Sequence, residues 1–334
     1  MKSRQIVLAS RPKGLPGSEN FRFESNELEE LKDNEVLIKA MYVSVDPYMR
    51  GRMNDVKSYA ASFEVDKPVS GGVIGKVIKS KNRMFYDGDS VFGMLPWSTY
   101  SIVNGEHLRK VDTTAVPPGY YLGILGMPGL TAYFGIMDIG KPKTGETVVI
   151  SGAAGAVGIV AGQIAKLQGA RVVGIAGSDE KCRLLKEQFG FDESLNYKSS
   201  KILKKAIAEA CPKGVDVYFD NVGGEITDAV VLNLNFHSRI VLCGQISLYN
   251  ATEIPVGPVI LPRLLTRSVM LQGFIVSNYT ARFEEGLTQL SKWVIEGKVK
   301  YTETIIKGFD KLPEAFLGLF SGKNKGKMLV EIED

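Results

Sequence analysis

The segment Glu146-Thr-Val-Val-Ile-Ser-Gly-Ala-Ala-Gly-Ala-Val-Gly-Ile-Val-Ala-Gly-Gln-Ile-Ala-Lys166 restricts this chain more than any other, because it reads as a buried strand, a glycine turn and a helix start in immediate succession. Residues 147–150 are β-branched or apolar throughout, as a strand covered on both faces requires. Gly152, Gly155 and Gly158 follow at three-residue spacing. In a dinucleotide-binding turn one glycine permits the tight bend, one lets backbone approach the pyrophosphate, and one allows close packing of helix on strand. The free N–H groups of the helix start then face the phosphates, which adds Ala156 and Val157 to the candidate binding residues. The spacing is GxxGxxG, whereas the usual fingerprint is GxGxxG, so the turn alone is a weak signal.

Its surroundings strengthen it. A second strand pattern at 170–176 follows a helix-length run at 159–168, which completes one βαβ unit. At the end of that strand, about 20 residues beyond the glycines, an NAD site places Asp or Glu on the ribose hydroxyls. Gly177-Ser178 occupies this corner, with Lys181 just beyond. A hydroxyl and an ammonium attract a 2′-phosphate that a carboxylate would repel, so the corner favours NADP over NAD. Asp179 has two readings: a ribose contact that restores NAD preference, or the N-cap of the next helix.

A length of 334 residues suggests two domains, and 44% hydrophobic with 23% charged residues is ordinary globular composition. Net charge is +4 with both signs interspersed, so no basic tract argues for nucleic acid. No apolar run reaches membrane-spanning length, and residues 1–10 lack the apolar core of a signal peptide. A cytoplasmic protein without membrane or nucleic-acid partners is the expectation. Cys182, Cys211 and Cys243 are scattered and odd in number, which argues against a disulfide framework. With only His107 and His237, and no Cys or Glu near either at ligand spacing, no zinc site is expected.

Strand-like runs at 6–9, 36–43, 73–79, 90–94 and 99–103 are separated by Gly, Pro, Asn and Asp, without βαβ alternation. They predict a separate, partly open barrel domain over 1–125. A helical stretch at 120–139 leads into a doubly wound domain over 126–300. Its later strands are predicted at 215–220, 239–243 and 269–274, and its helices at 199–210, 225–234 and 281–296. The tail, 301–334, has strand-like ends around a helix at 312–320 and is expected to return to the first domain.

Asp46-Pro-Tyr-Met-Arg50, Gly126-Met-Pro-Gly-Leu-Thr131, Ala153-Ala-Gly-Ala-Val-Gly158, Gly177-Ser-Asp-Glu-Lys181, Asn196-Tyr-Lys198, Phe219-Asp-Asn-Val-Gly-Gly224, Cys243-Gly-Gln-Ile-Ser247 and Gly322-Lys-Asn-Lys-Gly-Lys327 occur in this order. Through them the chain resembles, over nearly its whole length, the zinc-independent medium-chain dehydrogenases and reductases, in their prostaglandin reductase and alkenal double-bond reductase (leukotriene hydroxydehydrogenase-like) branch. The resemblance implies an α/β protein: a GroES-like, partly open β-barrel catalytic domain, a Rossmann doubly wound parallel sheet, and NADP(H) between them. It implies that Lys181 and Tyr197 hold the 2′-phosphate, that Asn221, Cys243, Gly244, Phe274, Ile275 and Val276 line the nicotinamide side, and that Asn324 reaches back to the cofactor. Relatives pair through edge strands of their nucleotide sheets, and the apolar run Ser268-Val-Met-Leu-Gln-Gly-Phe274 suits such an edge, so a homodimer is expected.

Zinc-dependent relatives carry Gly-His-Glu where this chain reads Ser70-Gly-Gly-Val-Ile-Gly75. Without a Lewis acid a simple ketone is hard to polarise, whereas an activated C=C bond needs less help. Hydride transfer to the β-carbon develops charge on a distant carbonyl oxygen as an enolate. A phenol, uncharged at neutral pH, is a suitable donor to that oxygen. Tyr249 and Tyr59 are the candidates; the resemblance supports Tyr249 beside the substrate, while Tyr59, one of thirteen tyrosines, is equally explained as packing. Tyr48 lies in a well-matched block and is expected to line the pocket; Met53, Met94, Met127 and Trp97 are explained equally as pocket wall or core. The favoured reading is an NADPH-dependent reductase of α,β-unsaturated aldehydes and ketones acting on small molecules. Its alternatives are a quinone reductase and a non-catalytic NADPH-binding sensor or structural protein.

Overall fold

Thr147–Ser151 is buried along its whole length and pairs on both sides, as its apolar composition demands. The computed structural model describes residues 1–333. In it this strand belongs to a six-stranded sheet ordered Glu193–Asn196, Arg171–Ala176, Thr147–Ser151, Val215–Asp220, Leu234–Leu242 and Met270–Gly273. Every pairing in it is parallel. Alternate side chains feed two cores, with Val148, Ile150, Val172, Val217 and Phe219 on one face and Val149, Val173, Ile175 and Tyr218 on the other. From Thr147–Ser151 the chain first winds outward through Arg171–Ala176, then crosses back to Val215–Asp220. The strand order therefore reverses between Thr147–Ser151 and Val215–Asp220, where doubly wound sheets open a ligand crevice at their carboxyl ends.

A second sheet runs Glu303–Lys307, Lys327–Glu331, Glu35–Ser44, Ser70–Ser80, Ser90–Pro96 and Leu108–Lys110, with Tyr100–Asn104 also on Glu35–Ser44. Register shifts at Leu37/Ile38 and Ala40/Tyr42 mark bulges that help a sheet curl into an open barrel. Lys2–Leu8 and Phe21–Glu27 form a separate antiparallel pair. Both tail strands join the second sheet and pair parallel to each other. The whole is a two-domain α/β fold of a Rossmann sheet and a partly open barrel. No helix among the described residues is long and apolar enough to cross a membrane.

Several elements differ from the sequence pattern. Phe21–Glu27 escapes it because its residues are largely polar and exposed. The predicted helix at 120–139 is broken into a 3-10 turn, Pro118–Leu122, the helix Met127–Phe134 and a wider turn, Gly135–Gly140. At Gly129 a Cβ would lie 1.8 Å from the Ile124 carbonyl oxygen, so the break folds back at a separation only glycine permits. The helix predicted at 225–234 ends at Val231, and the next strand starts early, at Leu234.

Candidate active site

The glycine turn lies at the carboxyl end of Thr147–Ser151. Gly152 has φ +58°, and the Gly155 N–H donates to the Gly152 carbonyl at 3.0 Å. A Cβ on Gly158 would sit 2.5 Å from that carbonyl oxygen and 2.7 Å from Ala153 Cα, so the helix Ala156–Leu167 closes on the turn only with glycine there. No side chain caps this helix, which leaves the amide end at Ala156 and Val157 suited to an anion. The tail lies along the turn: the Gly326 N–H donates to the Ala154 carbonyl at 2.8 Å, and Asn324 Nδ2 braces the segment through the Gly326 carbonyl at 2.7 Å.

At the end of Arg171–Ala176 the structure overturns the N-cap reading of Asp179. Ser178, not Asp179, is the N-cap of Asp179–Phe189; its backbone is extended and its Oγ accepts the Lys181 N–H at 3.3 Å. Asp179 is the first helical residue, and its Oδ1 accepts from Asn196 Nδ2 at 2.7 Å. The Lys181 ammonium donates to the Gly322 carbonyl at 2.8 Å. Burial, then Lys198 and Lys325, pull its pKa below the ordinary lysine value. The Tyr197 hydroxyl and Lys198 Cε lie 3.6 and 3.4 Å from where a Gly177 Cβ would be. Ser178, Lys181, Tyr197 and Lys198 thus share one corner, and its crowded ammonium groups match a dianion.

Between these strands the floor of the crevice hangs on Asp220, a residue that sequence reading passed over. Its carboxylate is fully buried. It accepts from Ser151 Oγ at 2.9 Å, the Tyr218 hydroxyl at 2.8 Å and the N–H groups of Val222 and Gly223 at 3.0 Å. Thr227 Oγ1 at 2.6 Å and Gln245 Nε2 at 2.8 Å complete the set. A charged residue closing the apolar strand Val-Asp-Val-Tyr-Phe-Asp220 was the available signal. Its neighbour Asn221 is pinned on both sides: its N–H to Ser151 Oγ at 2.9 Å and its Nδ2 to the Ser151 carbonyl at 2.8 Å. Cys243 and Gly244 both donate their N–H to the Asp220 carbonyl. Burial pushes the Cys243 thiol up to about 12, so it is not a thiolate at neutral pH. Phe274 continues from Met270–Gly273, with its N–H on the Leu242 carbonyl at 3.4 Å and its ring edge-on to Tyr279; Ile275 and Val276 lead into the next turn.

Tyr249 stands over this floor. Its hydroxyl oxygen accepts the Gln245 N–H at 3.3 Å and lies 3.2 Å from where a Gly244 Cβ would be. Gln245 is itself held by Asp220, so one buried carboxylate orients both the floor and the amide on which the phenol rests. Burial raises the Tyr249 pKa, and the Gln245 N–H works against that rise. With its oxygen engaged by an N–H, the phenol keeps its proton for another acceptor.

From the barrel, the block Asp46–Arg50 reaches the Tyr249 segment through the hydrogen bond from Arg50 Nε to Asn250 Oδ1 at 3.0 Å. Asp46, at the head of the block containing Tyr48, is ion-paired with Lys327 at 2.9 Å, with 9% and 2% of their side chains exposed. Burial, then the charge of Asp46, drive the Tyr48 phenol well above its ordinary value. Tyr59 is 61% exposed. Its pKa is nonetheless raised, first by burial and then by the nearby Tyr249. Of the other wall candidates, Trp97 and Met53 are core residues, whereas Met94 and Met127 are exposed. His107 ends the short turn Gly105–His107 and His237 lies in Leu234–Leu242. Among the described residues no three His, Cys, Asp or Glu side chains gather in a metal-binding group.

Comparison with known proteins identifies the family. Residues 4–111 match a family described as the N-terminal domain of oxidoreductase, and residues 156–293 one described as zinc-binding dehydrogenase. The chain is 56% identical to a putative NADP-dependent oxidoreductase, YfmJ, of Bacillus subtilis, covering 99% of this chain and 98% of that one. It is 41% identical to an NADP+-dependent 2-alkenal reductase of Nicotiana tabacum, covering 99% and 98%. Among solved structures, CurA of Vibrio vulnificus in complex with NADPH superposes with a TM-score of 0.94 at 43% identity, covering 99% of both chains.

Proposed function

Because the chain belongs to the medium-chain dehydrogenases and reductases and is an oxidoreductase, we propose that it reduces the C=C bond of α,β-unsaturated aldehydes and ketones with NADPH. The observation that carries this reading is the Tyr249 phenol, set over the crevice floor with its oxygen on the Gln245 N–H and its proton uncommitted. The name of the tobacco relative supports the substrate class, and the Vibrio complex supports the cofactor.

The residues fit such a cofactor. The cradle that a Cβ on Gly158 would fill receives the pyrophosphate, with Gly152, Gly155, Ala156 and Val157 around it. Ser178, Lys181 and Tyr197 take the 2′-phosphate; Asn221, Cys243, Gly244 and residues 274–276 take the nicotinamide side; Asn324 holds the tail over the turn. When bound, NADPH supplies a hydride to the β-carbon, leaving enolate charge on the substrate oxygen. Tyr249 donates its proton in a hydrogen bond to that oxygen, fixed in place and costing no reorganisation as charge develops. Tyr48 lines the barrel side of the site. Solvent protonates the enolate carbon.

The reading is tested by following NADPH consumption with a panel of enones, alkenals and quinones. Turnover of alkenals and enones with little on quinones is expected; quinone-only turnover, or none, would overturn it. We also propose that no metal takes part, so activity should survive exhaustive chelation, and stoichiometric zinc in the active protein would contradict this. Finally, Met270–Gly273 is the open edge of its sheet, and Ile254, Val256, Val259, Leu261 and Leu265 nearby in sequence are exposed. We infer a homodimer through this edge; a concentration-independent monomer mass in sedimentation would refute it.

A further inference from the structure

Arg50 is 3% exposed, yet every acceptor around its guanidinium is neutral. Nη2 donates to the Gly14 carbonyl at 2.8 Å, Nη1 to Asn54 Oδ1 at 2.7 Å, and Nε to Asn250 Oδ1 at 3.0 Å and more weakly to Gly14. Burying a cation without an anion is costly, and burial alone lowers its pKa. Packing would be met at lower cost by an apolar side chain. What a guanidinium adds is a planar fork that fixes several directions at once. Here it joins the short helix Met49–Arg52, directly after Tyr48, to the loop at 12–14 and to the residue directly after Tyr249.

The same loop touches the Tyr249 segment a second time. Thr252 Cγ2 lies 3.2 Å from where a Cβ would stand on Gly14, which has φ +79°. On its other side the segment is tied to the crevice floor, where Ser247 donates to the Val222 carbonyl through N–H at 3.0 Å and Oγ at 2.6 Å. Tyr249 therefore hangs between a tether to its own sheet and a tether to the barrel. The barrel tether is the Arg50–Asn250 hydrogen bond.

We propose that Arg50 is a positioning residue which, by holding the Asn250 side chain, fixes where the Tyr249 phenol sits over the crevice floor. It never touches substrate. The proposal rests on the enone-reductase reading and deepens it, since displacing a donor by about 1 Å is enough to lose most of its benefit.

The test is made at Asn250, because replacing Arg50 would also free the loop at 12–14. Asn250→Ala should lower kcat for an enone roughly tenfold, the scale of misplacing one donor, while NADPH affinity measured by fluorescence titration stays unchanged. Asn250→Asp, which keeps an acceptor for the guanidinium, should recover most of that loss. In a Tyr249→Phe background, Asn250→Ala should cost little more. Full kcat in Asn250→Ala, or a loss that simply adds to that of Tyr249→Phe, would overturn the positioning role. If the wild-type protein turns over no enone or alkenal, the parent reading fails instead. Hydrogen exchange then still judges the tether: faster exchange across 246–252 in Asn250→Ala supports it, and unchanged exchange removes it.

Discussion

Asp220 is a fully buried carboxylate and Glu303 a half-buried one with an enclosed Oε1, and the structure treats them in opposite ways. Asp220 receives six donors on its two oxygens and has its neighbours arranged around it. Glu303 sits where the barrel meets the segment leading into the nucleotide domain, against Gly119, and its Oε1 has no hydrogen-bond partner. The adjacent Tyr301 hydroxyl, packed against Gly123, is likewise unpartnered. Lys327 lies in register with Glu303 on the neighbouring strand, but its ammonium is taken by Asp46 and the Val45 and Met328 carbonyls. Burial raises the Glu303 pKa to about 7, with Lys327 opposing only in part. A buried charge becomes an organising centre when donors are built around it, and a proton-linked weakness when they are not.

The sharpest way to break this contrast is to remove the organiser. Asp220→Ala orphans several buried donors at once and should cost about 3–5 kcal/mol, the scale of breaking a buried network, read by chemical denaturation. A cost below about 1 kcal/mol would mean that the donors find other partners and that Asp220 organises nothing. Lys181 extends the contrast to a cation crowded by the like charges of Lys198 and Lys325. Lys181→Ala should raise the NADPH KM roughly 10- to 100-fold, as expected for losing a charge-assisted contact, and leave NADH nearly unaffected. Equal losses with both cofactors would take Lys181 out of the 2′-phosphate corner.

Glu303 gives the smaller effect, with a sign fixed by linkage. Its folded pKa lies above the ordinary 4.5, so between about 4.5 and about 7 the native state holds a proton that the unfolded chain has lost. The stability tied to that proton is complete below about 4.5, falls as pH rises, and is gone above about 7. Glu303→Gln keeps the shape without the charge. Above that window it should be more stable than wild type by roughly 1–3 kcal/mol, with little difference at pH 4.5. Parallel stability profiles for the two proteins across this window would show that Glu303 is not buried as an acid.

Much of this contrast was illegible in the sequence, for physical reasons. The strand at 147–150 and its glycines were readable because parallel strands are apolar throughout and Gly158 admits no Cβ, both of which are local demands. The corner at Gly177-Ser178 was readable in its residue types, but its cap was not, since Ser178 and Asp179 are both good caps and only the backbone angles decide between them. Asp220, Gln245 and the Arg50–Asn250 bond escaped because their partners are brought together by strand order and by the meeting of two domains. Glu303 escaped likewise, since nothing in a strand reading Glu-Thr-Ile-Ile-Lys307 says which end is covered.

Whether the Tyr249 hydroxyl works in the chemical step is measured most directly by single-turnover kinetics of Tyr249→Phe with an enone. The change keeps the ring and removes one oxyanion donor, whose loss is worth up to about 10²- to 10³-fold in sites that depend on it. Because a cofactor ribose hydroxyl can share the load, the hydride-transfer rate should fall by about 10- to 100-fold. NADPH affinity should stay constant, and the isotope effect with deuterated cofactor should grow. A hydride-transfer rate equal to that of wild type would contradict the account and reduce Tyr249 to pocket wall, with Tyr59→Phe the next variant to measure.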